Sequence, residues 1–291
     1  MQREILLWCV GAPAAVSLAC LLLAFWVARR EHWLTQYVVP AIATLGWCTA
    51  IAVTLVLRQE FDASALSWWN LEAWQQIHVP LTLTALFLAL TATPQARAHE
   101  FRWVAAALGC IALAMVAMPS GEGWVDLFPE HRAWMAAVAG ASLLNLWMLD
   151  QMSRRGTERW ILLVALAGLA GPTILAATAY AGLAEWGFAA IVATLVFAVG
   201  AACLPKQNLW CVAYPASLFA VCTTAAGRFY TYEDHPAWLY GLLLLTPSCI
   251  GAVDWILRNR PTYARIAVAA VLAGLIIGVA AWFLLARTSQ Y

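Results

Sequence analysis

Lysine is almost missing from this chain. Lys206 is its only one, and the arginines never gather into a basic tract. Without a dense cationic patch there is no electrostatic footprint for nucleic acid. Charge of either sign is scarce, 11% of residues against about 25% in soluble domains. None of the five histidines falls in the middle of an apolar run, no two are spaced H-x-x-x-H, and the eight cysteines form no C-x-x-C. The chain therefore carries no local zinc or thiol-redox signature. Cys9, Cys20, Cys48, Cys110, Cys203, Cys211, Cys222 and Cys249 all lie inside apolar runs and read as small hydrophobes. Histidine and ionisable groups are also missing from the expected mid-depth of those runs. That disfavours a bis-histidine haem and an ion-coupled carrier, both of which need such groups in the membrane interior.

What is present is apolar: 64% hydrophobic residues, a mean hydropathy of +0.77 and 17 tryptophans. A soluble domain is about 45–50% apolar, so the chain reads as a single all-α, polytopic membrane helix bundle over 1–291. Spanning-length runs are predicted at 5–27, 37–57, 77–93, 103–118, 133–152, 160–182, 185–204, 209–226, 238–256 and 266–286, about ten in all. The first is too long for a signal-peptide core and its arginines follow rather than precede it, so it is expected to remain as an anchor.

Cations near spans stay cytoplasmic. Alternate loops divide them eleven (Arg29, Arg30, Arg97, Arg102, Arg154, Arg155, Arg159, Lys206, Arg258, Arg260, Arg265) against five (Arg3, Arg58, Arg132, Arg228, Arg287). Both termini are thus expected on the non-cytoplasmic side of a bacterial-type inner (plasma) membrane. The outer side collects the acids and aromatics. There Phe61–His78, with Trp68, Trp69 and Trp74, is predicted to form an interfacial helix over 62–76.

A partial internal repeat relates 130–155 to 234–259 at a constant offset of 104. Glu130-His131-Arg132-Ala133-Trp134 is followed by fifteen uncharged residues, Asp150 and Arg154; Asp234-His235-Pro236-Ala237-Trp238 by fifteen more, Asp254 and Arg258. Histidine to aspartate is nineteen steps, about 28 Å of helix, close to the ~30 Å hydrocarbon thickness. Each copy reads as a span with an acid-His-Trp mouth and an Asp-Arg foot, the foot pairs serving as cytoplasmic anchors of i,i+4 geometry. Helix-weakening residues occur at Gly168, Gly171, Pro172, Thr173 and Thr178, at Tyr214-Pro215 and at Thr246-Pro247-Ser248. Close packing is the favoured reason for them.

The candidate ligand-binding residues gather on the outer side: His78, His131 and His235 at span starts, with Glu130, Glu233, Asp234, Arg228 and Tyr230. Together they suit a small or lipid-like ligand bound or passed near the outer face. The same imidazoles and carboxylates would also suit an envelope enzyme working on a lipid-linked substrate. No resident cofactor is predicted; a quinone or divalent cation is the alternative ligand, with membrane lipids and membrane-complex subunits as partners. The loop order through residue 236, with Gly227-Arg228-Phe229-Tyr230 after the eighth run, resembles the membrane anchor subunits of dimethyl-sulfoxide-reductase-type complexes. That resemblance implies a haem-free, quinol-binding subunit of a redox complex. The chain departs from the family in lacking His-Leu-Gly after the second run and in having two further runs.

Overall fold

Backbone polar groups surrounded by hydrocarbon must be satisfied within their own segment, and apolar runs of this length do so as helices. The computed structural model describes residues 6–30, 35–58, 71, 73–92, 100–119, 130–154, 158–203, 208–231 and 235–288. A π-helical turn at Leu7–Gly11 leads into α1 (Ala12–Ala28); then follow α2 (Thr35–Arg58), α3 (His78–Leu90), α4 (Phe101–Ala117), α5 (Glu130–Ser153), α6 (Glu158–Ala179) and α7 (Ala181–Cys203). A 3-10 turn at Leu209–Val212 opens α8 (Ala213–Tyr230), and α9 (Ala237–Leu244), α10 (Thr246–Ile256) and α11 (Thr262–Thr288) complete the chain. Among the described residues there is no strand.

Among the described residues seven helices are long and apolar enough to cross a membrane, and α9 with α10, bent by 60°, make an eighth if the pair is one span. The ten spans expected from sequence thus become seven to eight by length. The shortfall lies in α3 and α4, with 13 and 17 residues, against about 20 for a span. At the end of α3 the Thr91 hydroxyl donates to the carbonyls of Phe87 and Leu88.

The centre of the bundle is α8, wholly buried over its apolar window, whereas α1 and α11 bury 17% and present most of their surface outward. Composition explains the division. Ala213–Gly227 is built of Ala, Ser, Thr, Cys and Gly with few bulky residues, so neighbours can approach it on every side. Elsewhere, two glycines set helix crossings. A Cβ on Gly46 of α2 would lie 2.5 Å from Cys20 Cβ of α1, and one on Gly109 of α4 would collide with Thr84 of α3.

Contacts between helix ends fix the threading. At one end, here the mouth, Arg58 of α2 pairs with Glu185 of α7 at 2.8 Å and Thr54 donates to the Trp8 carbonyl. Trp238 at the start of α9 packs on Phe283 near the end of α11 with ring centroids 5.0 Å apart. At the other end, the foot, α3, α4, α5 and α8 meet around Arg102. The repeat is asymmetric in shape. Its first copy is the uninterrupted α5, while the second breaks at Leu245 between α9 and α10.

That break is held by Asn145 of α5, which is fully buried. Pro247 lacks an N–H, and the helical bond from the Ser248 N–H to the Leu244 carbonyl is opened. Asn145 inserts its amide there: Nδ2 donates to the Leu244 carbonyl (2.8 Å), and Oδ1 accepts from the Ser248 backbone N–H (3.1 Å) and hydroxyl. The Leu244 carbonyl and the Ser248 N–H are thereby both satisfied across the bend. The other two helix-weakening sites do not break: Pro172 lies inside α6, and Pro215 sits in the first turn of α8, where its missing N–H costs nothing.

Most of the expected interfacial helix, 62–76, lies outside the described residues, as do Trp68 and Trp69. At its described end, Ala73–Gln76, the Trp74 side chain is buried, packed edge-on against Trp186 (5.1 Å) and Tyr180 (5.9 Å). An indole that finds aromatic neighbours gains more by burial than by floating at an interface.

Candidate functional site

The mouth cluster is assembled from three helix ends. The start of α5 supplies Glu130, His131 and Trp134; the last turn of α8 supplies Arg228, Phe229 and Tyr230; the start of α9 brings His235 and Tyr240. An acid at a helix N-terminus and a cation at a helix C-terminus each oppose the local dipole charge. Those two charges meet here, with Arg228 Nη2 3.5 Å from Glu130 Oε1. Trp134 Nε1 donates to the same Glu130 oxygen at 3.3 Å. Around the pair the rings of Trp134 and Phe229 (5.9 Å), Trp134 and Tyr240 (5.7 Å) and His131 and Phe229 (5.6 Å) meet edge to face. The Arg228 guanidinium lies 5.7 Å from the Tyr240 ring centre, and His235, buried, is 6.3 Å from the same ring. His131 Nε2 is shielded from solvent and has no hydrogen-bond partner among the described residues.

Of the candidates named from sequence, Arg228, Glu130, His131 and His235 therefore come together, and the half-buried Tyr230 sits on the same turn. His78 instead packs on Trp186 of α7 at 6.0 Å. Glu233 and Asp234 lie outside the described residues. Among the described residues no three His, Cys, Asp or Glu gather as a metal group would. The cysteines are free, and Cys203 is exposed rather than buried.

The foot corrects the sequence reading most. Asp150 is fully buried, and its main partner is Arg102, itself 1% exposed, at 2.8 Å. Tyr214 donates its hydroxyl hydrogen to the same carboxylate oxygen (3.1 Å) and accepts from Arg102 Nη2 (2.8 Å). Arg102 Nε donates to Thr91 Oγ1 at 3.0 Å, and Arg154 Nε to the second Asp150 oxygen at 2.9 Å. The Asp150–Arg154 pair exists, but it is the outer part of a buried network that clamps α3, α4, α5 and α8 together. At the second foot Asp254 takes Arg265 of α11 as its ion-pair partner, while Arg258 lies over Trp255 at 5.4 Å. The reason is positional: Arg265 is brought beside Asp254 by the turn after α10, with its side chain 11% exposed, whereas Arg258 is exposed.

Arg102 counts as a loop cation in the sequence because it stands one residue before the predicted run 103–118, whereas α4 begins at Phe101 and includes it. The available signal was the coincidence of opposite charges, Arg102 and Asp150, each within a turn of a run's end on the same expected side. No protein-family model, curated protein or solved structure matches this chain, so the resemblance carried by Gly227–Tyr230 rests on those residues alone.

Proposed function

We propose that this integral membrane protein binds a small or lipid-like ligand at the mouth cluster, on the non-cytoplasmic side of an inner (plasma) membrane. Support for the threading comes from the end contacts. Taken in chain order, the helical segments alternate between mouth and foot, α3 and α4 included, a pattern that fits both termini at the mouth and the larger share of cations at the foot. Ten crossings with short third and fourth members fit that alternation, with the foot facing the cytoplasm.

The single observation that carries the ligand reading is His131 Nε2, buried and, among the described residues, without a hydrogen-bond partner, on the helix start that also supplies Glu130 to the Arg228 pair. A buried polar atom left unpaired costs about 1–3 kcal/mol, and an incoming oxygen would remove that cost. The ion pair is long and half-exposed, 32% and 48% for its two side chains, so it contributes at most about 1 kcal/mol and opens readily. In the bound state Arg228 and His131 would hold the polar head, with Trp134, Phe229 and Tyr240 against the apolar part. A few polar groups in an aromatic setting are what ligand sites generally combine.

Native mass spectrometry tests this. The purified protein should carry a small-molecule or lipid adduct that the Arg228→Ala/His131→Ala/His235→Ala variant loses; an identical adduct pattern in both overturns it. A quinone carbonyl also fits the imidazole and guanidinium, and that reading requires the adduct to be a quinone and the protein to co-purify with a redox partner.

A further inference from the structure

A second space opens near the foot. Between α6, α10 and α11, against the end of α5, lies a cavity of about 340 Å³. Its sides are apolar, formed by Leu163 and Ala167 of α6 and by Ala270, Ala273, Gly274 and Ile277 of α11. Small residues create the space, since a Cβ on Gly274 would meet nothing within 4 Å. Among the described residues the one titratable side chain in the lining is Asp254, 2% exposed and ion-paired with Arg265. Leu163, Ala270 and Gly274 are at once cavity wall and exposed flank of the bundle, so the cavity opens sideways, toward lipid.

Dimensions narrow the occupant. The α11 wall runs from Ala269 to Ile277, eight steps or about 12 Å of helix. The volume equals roughly eleven groups of the ~30 Å³ that a water occupies in the liquid. One chain fits and a two-tailed lipid does not. Chemistry narrows it further. Asp254 and Arg265 already neutralise each other in a low-dielectric setting, and a charged head of either sign would compete for one of them and strand the other. A neutral head needs no such exchange and can donate a hydrogen bond to Asp254, which lines the cavity.

We propose that this cavity is a lateral-access site for one apolar chain of a membrane amphiphile whose uncharged, hydroxyl- or carbonyl-bearing head rests at the Asp254–Arg265 pair. The site is independent of the mouth cluster, from which it is separated by α9 and the first turn of α10.

The test uses the full-length protein in lipid nanodiscs with three photoreactive diazirine amphiphiles of one chain length, carrying a glycerol, a carboxylate or a quaternary ammonium head. Cross-links are mapped by peptide mass spectrometry, with Leu22 of α1, 60% exposed, as the reference for ordinary lipid contact. The glycerol probe should label the walls around Leu163 and Ala273 several-fold more than the charged probes, with all three equal at Leu22. Gly274→Leu and Ala167→Phe fill the cavity from opposite walls, so either one, if folded, suffices; each should remove the wall labelling and leave Leu22 unchanged. Equal wall labelling by the three heads, labelling that survives the filled variants, or walls cross-linked to a second polypeptide would each overturn the proposal.

Discussion

Replacing Arg102 by Met removes a guanidinium that is 1% exposed and leaves Asp150, fully buried, without its shortest ion-pair contact, the one at 2.8 Å. Breaking a buried pair from one side costs about 3–5 kcal/mol, because the remaining charge has lost both water and partner. Arg154 still reaches the second Asp150 oxygen at 2.9 Å and places the expected loss toward the lower end of that range. Removing Arg154 instead deletes a side chain that is 40% exposed, for which about 1 kcal/mol or less is expected. In the double variant Arg102→Met/Asp150→Leu no charge is stranded, and most of the single-variant loss should return. Equilibrium unfolding in mixed micelles, followed by tryptophan fluorescence, measures all three. An Arg102→Met variant as stable as the parent, an Arg154→Ala variant equally damaged, or additive losses in the double variant would refute the buried-clamp account.

Asn145→Ala should destabilise by about 2–4 kcal/mol, since the Leu244 carbonyl and the Ser248 N–H both lose their partner; hydrogen exchange at Ser248 should quicken with it. Glu130→Ala should change stability by under about 1 kcal/mol, as befits a half-exposed pair, while the mouth ligand seen by native mass spectrometry diminishes. Gly46→Val should force α1 off α2 and lower stability by about 1–3 kcal/mol, read in the same unfolding experiment. A reporter fused after Tyr291 should be active on the non-cytoplasmic side, and cytoplasmic activity would invert the proposed orientation.

Much of the fold was legible because lipid leaves the chain few choices. Apolar runs longer than a bilayer core become helices, and run limits read from hydropathy agree with the helix ends within a few residues for most of them. The mouth residues were legible for a related reason: His131, Arg228 and His235 interrupt apolar sequence where interfacial chemistry tolerates them. Their convergence was not, because it depends on α5, α8 and α9 being neighbours, and no local motif encodes that. Asp150 shows the limit most clearly. In sequence it is an i,i+4 partner of Arg154 at a helix foot; in the bundle its principal contact is with Arg102, 48 residues away.

The sequence alone determined that the chain is helical, with apolar helices long enough to suit a membrane, because composition and run length set the free energy of transfer from water to lipid residue by residue. Only the tertiary structure decided which polar groups are buried, which helix breaks and where the empty space lies. Those outcomes depend on which helix faces which, and on side-chain contacts between residues a hundred positions apart, such as Asn145 with Leu244 and Ser248.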